Sequence, residues 1–449
     1  MRKQKAKRNM MGIFLLVVMG ITLLTPSTGM NEVKAATGVT ISPQNFPDDV
    51  FRQWVGTNFD ENADGILSDD ERLEHTIIFV PEAGITSLKG IEFFPNLAKL
   101  YCAKNNLSTL DVSKNTNLTL LDCQETNLSS LDVSSNTALK VLYCSKNKIS
   151  SLDVSSNTAL TDLYCDENNL STLNVSYNTD LTDLVCGNNN LSSLDVSKNS
   201  ALEMLNCDNN NISSLDVSKN PALDGLDCSY NNISNLDVSH NPLLGHFVCS
   251  YNNLSSLDVS HNPAMHRLYC AYNNLTSLDV SNNTNLSDLN CEGNSLYRLD
   301  LSKNTKLMDL NCEGNSLCSL DLSKNTKLES FLQPKLDQYV RVPMYKNGDE
   351  YYIDLSGLLL DDGKRLSLLT ESVTRYGATY DSTTNRINLS EKMNVDDTVW
   401  YGYETNGPSS MKNTKMQVSL KISEVRDITE PATEEPTTEE PAPEEPTNE

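Results

Sequence analysis

The chain is short of positive charge: 35 lysines and arginines stand against 60 aspartates and glutamates in 449 residues, for a formal net charge of −25. Nucleic acid and anionic membrane surfaces need a basic footprint, so neither is expected as a partner. Histidine is scarcer still, at His75, His240, His246, His261 and His266. The chain has no G-x-S-x-G, no H-E-x-x-H and no catalytic cysteine arrangement, and enzymatic activity is not expected. It is also short of long apolar runs. The run Met11–Leu24 falls well below the length of a bilayer span. Basic residues Arg2, Lys3, Lys5, Lys7, Arg8 and Lys34 flank it, and Val33-Lys34-Ala35 offers a small residue before Ala36. Residues 1–35 therefore read as a cleaved secretion signal, with no transmembrane segment left after its removal. Cleavage takes away six basic residues and Glu32, moving the formal charge from −25 to −30.

What the chain does have is a period. Cys102, Cys123, Cys144, Cys165, Cys186, Cys207, Cys228, Cys249, Cys270, Cys291 and Cys312 are each 21 residues apart. One unit reads Leu97, Leu100, Cys102, Asn105, Leu107, Leu110, Val112 and Asn115 before Leu118 opens the next. Its two halves, L-x-x-L-x-C-x-x-N and L-x-x-L-x-V-x-x-N, match the leucine-rich repeat pattern. The fold class expected is mainly β: a solenoid of parallel coils over 79–332, with a short strand in each half and coils about 4.8 Å apart. Eleven cysteines occupy the inward place that Leu or Val takes in the other half, where a thiol packs as a small hydrophobe. Bridging neighbouring coils would strain the bond, so free buried thiols are expected, with a partly oxidised ladder as the alternative. Cys318 falls at the outward position equivalent to Tyr297 and is expected to be exposed and open to an intermolecular bond.

The repeat resembles the short nested leucine-rich repeats of bacterial surface proteins, and the stretch ITSLKGIEFFPNL within Gly84–Leu97 looks like the first coil of an internalin-like domain. The resemblance covers roughly residues 41 to 332. It implies cell-surface recognition of other macromolecules, without catalysis, on the surface of a Gram-positive bacterium or secreted from it.

Comparing units within the chain separates constant columns from variable ones. Asp111, Asp132 and their equivalents to Asp321 form one constant column, interrupted by Asn174; asparagines from Asn105 to Asn315, with Thr126 among them, and from Asn115 to Asn325 form two more. These read as structure, the side chains bonding to turn backbone. In the L-x-C half the outward column varies, including Tyr101, Tyr143, Tyr164 and Tyr269. Tyr230, Tyr251 and Tyr272 fall in one column of three consecutive coils, near His246, Arg267 and Tyr269 in sequence. Aromatic rings with arginine are the composition of an interface, so Tyr143, Tyr164, Tyr230, Tyr251, Tyr272, His246, Arg267 and Tyr269 are the candidate ligand-binding set, for a protein or a glycan.

Both ends differ from the repeat. Asp60 to Glu71 satisfies D-x-[DN]-x-[DN]-G-x5-E, and Asp60, Asn62, Asp64, Ile66, Ser68 and Glu71 are the candidate ligands of a structural calcium ion. An amphipathic stretch from Pro47 to Asn58, with Val50, Phe51, Trp54 and Val55, makes the entering helix, so residues 36–78 read as a helical, EF-hand-like cap. The competing reading is a helix cap alone, with Ser68 and Glu71 as a capping box. Residues 333–425 alternate as six or seven strands, consistent with an immunoglobulin-like β-sandwich. Residues 426–449, rich in Thr, Glu and Pro, read as an extended disordered tail. The function expected is that of a monomeric secreted or surface-displayed recognition or adhesion protein; the alternative is a structural spacer or matrix component without a specific ligand.

Overall fold

In the L-x-C half the period-two alternation does produce a strand. Leu100 is buried while Lys99 and Tyr101 face outward, and these three residues form β4 (Lys99–Tyr101). The same three-residue strand recurs in every unit up to β14 (Asp309–Asn311), and β3 (Ile77–Phe79) precedes them. In the computed structural model, which describes residues 38–329, 337–358, 366–408 and 415–428, these twelve strands pair in parallel as one sheet. Register is residue for residue: Leu100 lies beside Leu121, and Leu121 beside Leu142. The signal segment and the end of the acidic tail lie outside the described residues.

The other half was expected to hold a strand too, and does not. Beyond an isolated bridge between Asp111 and Asp132, no ladder forms there among the described residues. Its backbone groups are used locally. Asn115 N donates to the Val112 carbonyl at 3.0 Å and Leu118 N to the Asn115 carbonyl at 3.1 Å, closing two turns. Asn136 Nδ2 then reaches back to the carbonyls of Val112 and Asn115 at 3.0 and 2.9 Å, and the same pair of bonds repeats to Asn325. Buried carbonyls must be paired, and here a side-chain amide does what a neighbouring strand would do.

A second asparagine ladder runs behind the sheet. Asn168 Nδ2 donates to Cys144 O in the preceding coil and to Cys165 O in its own, while its Oδ1 accepts from Ile149 N at 3.0 Å. Between the two ladders lies the apolar filling. The eleven ladder cysteines are fully buried, as are nearly all the inward leucines and valines, and every cysteine is a free thiol. Burial pushes the thiols of Cys144, Cys186, Cys270 and Cys312 up to about 12. Each fully buried Leu contributes about 1.5 to 3 kcal/mol relative to an exposed one. The aspartate column lies outside: Asp111 Oδ1 accepts from Ser113 N at 2.9 Å, and Asn174 Oδ1 accepts from Ser176 N in the same way.

At the N-terminal side, β1 (Gly38–Thr40) pairs with β2 (Ile66–Ser68), and α1 (Asp49–Asn58) and α2 (Asp69–Glu74) lie between and after them. Phe51 and Val55 of α1 are buried, whereas Val50 is exposed. Asp48 is the N-cap of α1, accepting from Phe51 N, and its second oxygen accepts from Thr86 N and Thr86 Oγ1 at 2.7 and 2.8 Å. Burial alone would raise its carboxyl; these bonds outweigh it and hold the pKa below the usual range. One carboxylate thereby ties the cap to the first coil.

The C-terminal strands are β15 (Gln338–Asn347), β16 (Glu350–Asp354), β17 (Leu366–Leu368), β18 (Thr379–Asp381), β19 (Arg386–Leu389), β20 (Thr398–Glu404) and β21 (Lys415–Asp427), with α3 (Thr370–Tyr376) between β17 and β18. Their order is β17-β20-β21-β15-β16-β19-β18. Lettered A to G along the chain, this single seven-stranded sheet runs C-F-G-A-B-E-D, an order that contains the C-F-G and A-B-E-D neighbours of an immunoglobulin-like fold, with parallel pairing of the first and last strands and a register shift at Val342/Pro343.

This domain closes the solenoid. Tyr339 N donates to Asn315 O, and Gly314 N donates to Asp337 O. The side chain of Gln338, fully buried, then takes the asparagine's part: Nε2 donates to Cys312 O at 2.7 Å and Oε1 accepts from Leu317 N at 3.1 Å. Cys318, expected to be exposed, is only 7% accessible. Its carbonyl accepts from Tyr401 Oη at 3.3 Å. The repeat register does place it outward, but the C-terminal domain covers that side of the coil, and its thiol is pushed up to about 11.

Replacing Gln338 by Ala should cost about 1 to 3 kcal/mol in denaturant unfolding, because the buried Leu317 amide loses its acceptor while Cys312 O keeps its bond from Asn315 Nδ2; a loss within error would remove the side chain from the cap. Ellman's reagent should leave the ladder thiols of the native protein unreacted and reach all twelve cysteines only on unfolding, since the thiolate is the reactive form.

Candidate functional site

The eight candidate residues divide between two places. Tyr230, Tyr251 and Tyr272 lie on the turns that leave the strands. Their rings stack face to face, with centroids 4.2 Å apart at 10° and 4.5 Å apart at 19°, and each side chain is 40 to 48% exposed. All three have left-handed backbone, with φ of 53°, 56° and 52°. The whole column does, from Lys104 to Asn209 before them and Gly293 and Gly314 after them, since the chain must turn out of the strand while its amide still reaches the next coil, as Tyr251 N does to Ala271 O at 2.8 Å. For a residue with a Cβ this conformation costs about 1 to 2 kcal/mol. The ladder ends where glycine begins: a Cβ on Gly293 would lie 2.6 Å from the Tyr272 ring. Tyr272 Oη donates to Glu292 Oε1 at 2.6 Å, which pushes the phenol up to about 12.

The other five lie on the strand face. Tyr143 and Tyr164 meet edge to face at 4.9 Å and 81°. Burial, then Asp162, pushes Tyr143 up to about 12. Arg267 turns its guanidinium toward the Tyr269 ring, 5.6 Å from its centroid, with Asp288 at 3.8 Å. His246 pairs in register with Arg267; burial, then the charge of Arg267, lowers its pKa. His266 stands 6.5 Å from it, ring to ring. Missed from sequence were the carboxylates beside the rings, Asp122, Asp162 and Asp183; they are one coil or two residues away, and only the strand register brings them together. Ile77 and Phe79, each 49% exposed, extend the apolar part of this face, Phe79 meeting Tyr101 at 5.5 Å.

The acidic loop of the cap is built from the same residues that the motif names. Asp60 accepts from Asp64 N and Gly65 N, Asn62 Oδ1 from Asp64 N, and Asp64 Oδ1 from Ile66 N. Gly65 has φ of +76°, as the turn requires. Ser68 and Glu71 form a full capping box on α2, and Glu71 also accepts from Glu61 N at 2.9 Å. These hydrogen bonds outweigh the effect of burial and hold its pKa below the usual carboxylate range. Asp60, Asp64 and Glu71 do not gather into a metal-sized cluster of acidic side chains. The oxygens suit calcium in kind, but Glu71 would have to leave its amides to join them.

No family model matches the chain. Over 71 residues it is 38% identical to Internalin J of Listeria monocytogenes serotype 4b, a stretch that is 16% of this chain and 8% of that protein. Among solved structures, the functional domain of InlJ from Listeria monocytogenes, which includes a cysteine ladder, matches over 88% of this chain and 100% of its own, at 31% identity and a TM-score of 0.56. The chain belongs to the internalin-like leucine-rich repeat proteins. An internalin, InlF, from the same species shares the fold at 21% identity and a TM-score of 0.61, covering 68% of this chain and 92% of its own. Within this internalin-like protein no helix of the described residues is long and apolar enough to cross a membrane.

Proposed function

We propose that this internalin-like protein is a recognition or adhesion protein, secreted by a Gram-positive bacterium or displayed on its surface, that binds a protein or glycan through the variable face of its L-x-C halves. The observation that carries the reading is the tyrosine ladder. Three bulky residues occupy left-handed positions where the next two coils use glycine, and they present stacked, half-exposed rings to solvent. The left-handed backbone is common to the whole column, so what sets these three coils apart is the aromatic side chain placed on it. Planar rings in a row offer large contact area at little entropic cost, as binding surfaces do. The similarity to internalins supports the class of function and leaves the ligand open.

A structural calcium ion at the cap is a second reading, supported by the complete donor set Asp60, Asn62, Asp64, Ile66, Ser68 and Glu71 and by the left-handed Gly65 turn. Bound there, calcium would offset two of the three carboxylate charges and fix the loop between α1 and α2.

Changing Tyr230, Tyr251 and Tyr272 together to Asn, a residue the column already holds at Asn188 and Asn209, should weaken retention on whole cells and glycan arrays by at least about tenfold while the melting temperature stays near wild type. Full retention would discard the ladder as a binding site. Chelation by EDTA should lower the melting temperature and excess calcium restore it, with about 2.7 kcal/mol at stake at a hundredfold excess over Kd; an EDTA-insensitive melt would dismiss the ion.

A further inference from the structure

The strand face repeats one arrangement, once with an arginine in it and twice without. In the first, Arg267 of β12 (Arg267–Tyr269) is in register with Asp288 of β13 (Asp288–Asn290). Its guanidinium lies between the Tyr269 ring at 5.6 Å and the Asp288 carboxylate at 3.8 Å. A ring face and a carboxylate both favour a cation at that point. Upstream, β6 (Val141–Tyr143), β7 (Asp162–Tyr164) and β8 (Asp183–Val185) reproduce the ring and the carboxylate. Val141 is in register with Asp162, and Asp162 with Asp183. Tyr143 and Tyr164 then follow two residues on, as Tyr269 follows Arg267. In the arginine's place stand Val141 and Asp162.

The surroundings are negative and partly dry. Asp162, Asp122 and Asp183 act on the Tyr143 ring, and Asp183, Asp162 and Asp166 on that of Tyr164. Lys146, on the following turn, is engaged by Glu125 at 3.5 Å and Glu167 at 4.0 Å. The net charge of −25 draws basic partners from a distance.

We propose that Tyr143, Tyr164, Asp162 and Asp183 form a docking site for an arginine side chain of a basic protein partner, which takes at β6 to β8 the place Arg267 takes at β12. Arginine fits better than lysine because its planar guanidinium stacks on a ring while its fork meets a carboxylate. The site deepens the recognition reading and rests on it, yet it uses none of the ladder tyrosines.

The test is fluorescence anisotropy of the full mature chain with a fluorescein-labelled peptide of three arginines spaced by serines, at physiological ionic strength. Asp162→Asn with Asp183→Asn should weaken binding about tenfold. Asp195→Asn with Asp216→Asn removes the same charge from the other half of the coil, where Asn174 shows that Asn keeps the turn bond, and should change affinity by less than about twofold. Val141→Arg installs the chain's own guanidinium and should block the peptide. A lysine version should bind more weakly than the arginine one. Equal losses in the two double variants would mean diffuse charge attraction and overturn the proposal, as would a peptide still bound by Val141→Arg or by Asp162→Asn with Asp183→Asn. The triple ladder variant should bind the peptide normally, which keeps failure of the ladder separate from failure of this site; loss of the peptide there would overturn its placement.

Discussion

The bond on which the solenoid depends is that of an asparagine amide to the backbone of two coils at once. A three-residue strand pairs too little of a 21-residue unit to satisfy it. Amides just past the strand still reach the next coil, as Tyr251 N does to Ala271 O. Buried carbonyls such as those of Cys144 and Val112 are instead met by side-chain amides, because an unpaired group there costs more than a paired one gains. Asn168 shows the solution: two carbonyls of different coils on its nitrogen and an amide of the preceding coil on its oxygen. Leucine, valine, methionine and phenylalanine exchange for one another inside, as Phe247 does for Leu in β11 (His246–Val248), Met265 for Leu, and Leu301 for Val. The asparagine positions exchange far less. Thr126 is the departure in its column; its hydroxyl keeps the own-coil bond to Cys123 O at 2.7 Å, and Asn147 of the following coil makes the usual ladder bonds to Cys123 O and Leu128 N.

Much of this was legible in the sequence because a fixed period converts one-dimensional spacing into three-dimensional columns. The inward place of the cysteines, the asparagine ladders and the aspartate turns follow from composition within a column. The strand wrongly expected in the L-x-V half shows where that logic fails. Alternating polarity marks which side chains point inward, but not whether the backbone bonds to its neighbour or to itself, and Asn115 and its equivalents decide for the turn. Cys318 shows a second failure. Register gives a residue's direction, and direction gives exposure only where nothing else is packed alongside; Tyr401 comes from 83 residues further on. The ladder tyrosines were visible as a column, while their left-handed backbone and the carboxylates around Tyr143 needed the location of the strand end.

Stability and recognition are thereby kept in different columns. The inward apolar positions and the two asparagine rows hold the coil, and the aspartates fix its outer turns. The first and third strand residues and the turn that follows carry little of that work, so they vary from Lys99 to Asp309 and from Tyr101 to Asn311 without disturbing the register. The one restriction on the turn is a positive φ, which Lys, Glu, Asn and Tyr meet at a cost and Gly meets freely.

Gln338 has a consequence for descent. The closing domain engages the solenoid by filling the next place in the asparagine ladder, and every coil presents that same place to whatever comes after it. The end cap therefore does not register how many coils precede it. Unequal recombination between near-identical units could add or remove whole coils while both ends remain compatible, so reach would be heritable independently of fold, and the spacing between the arginine site and the tyrosine ladder would change in steps of one coil.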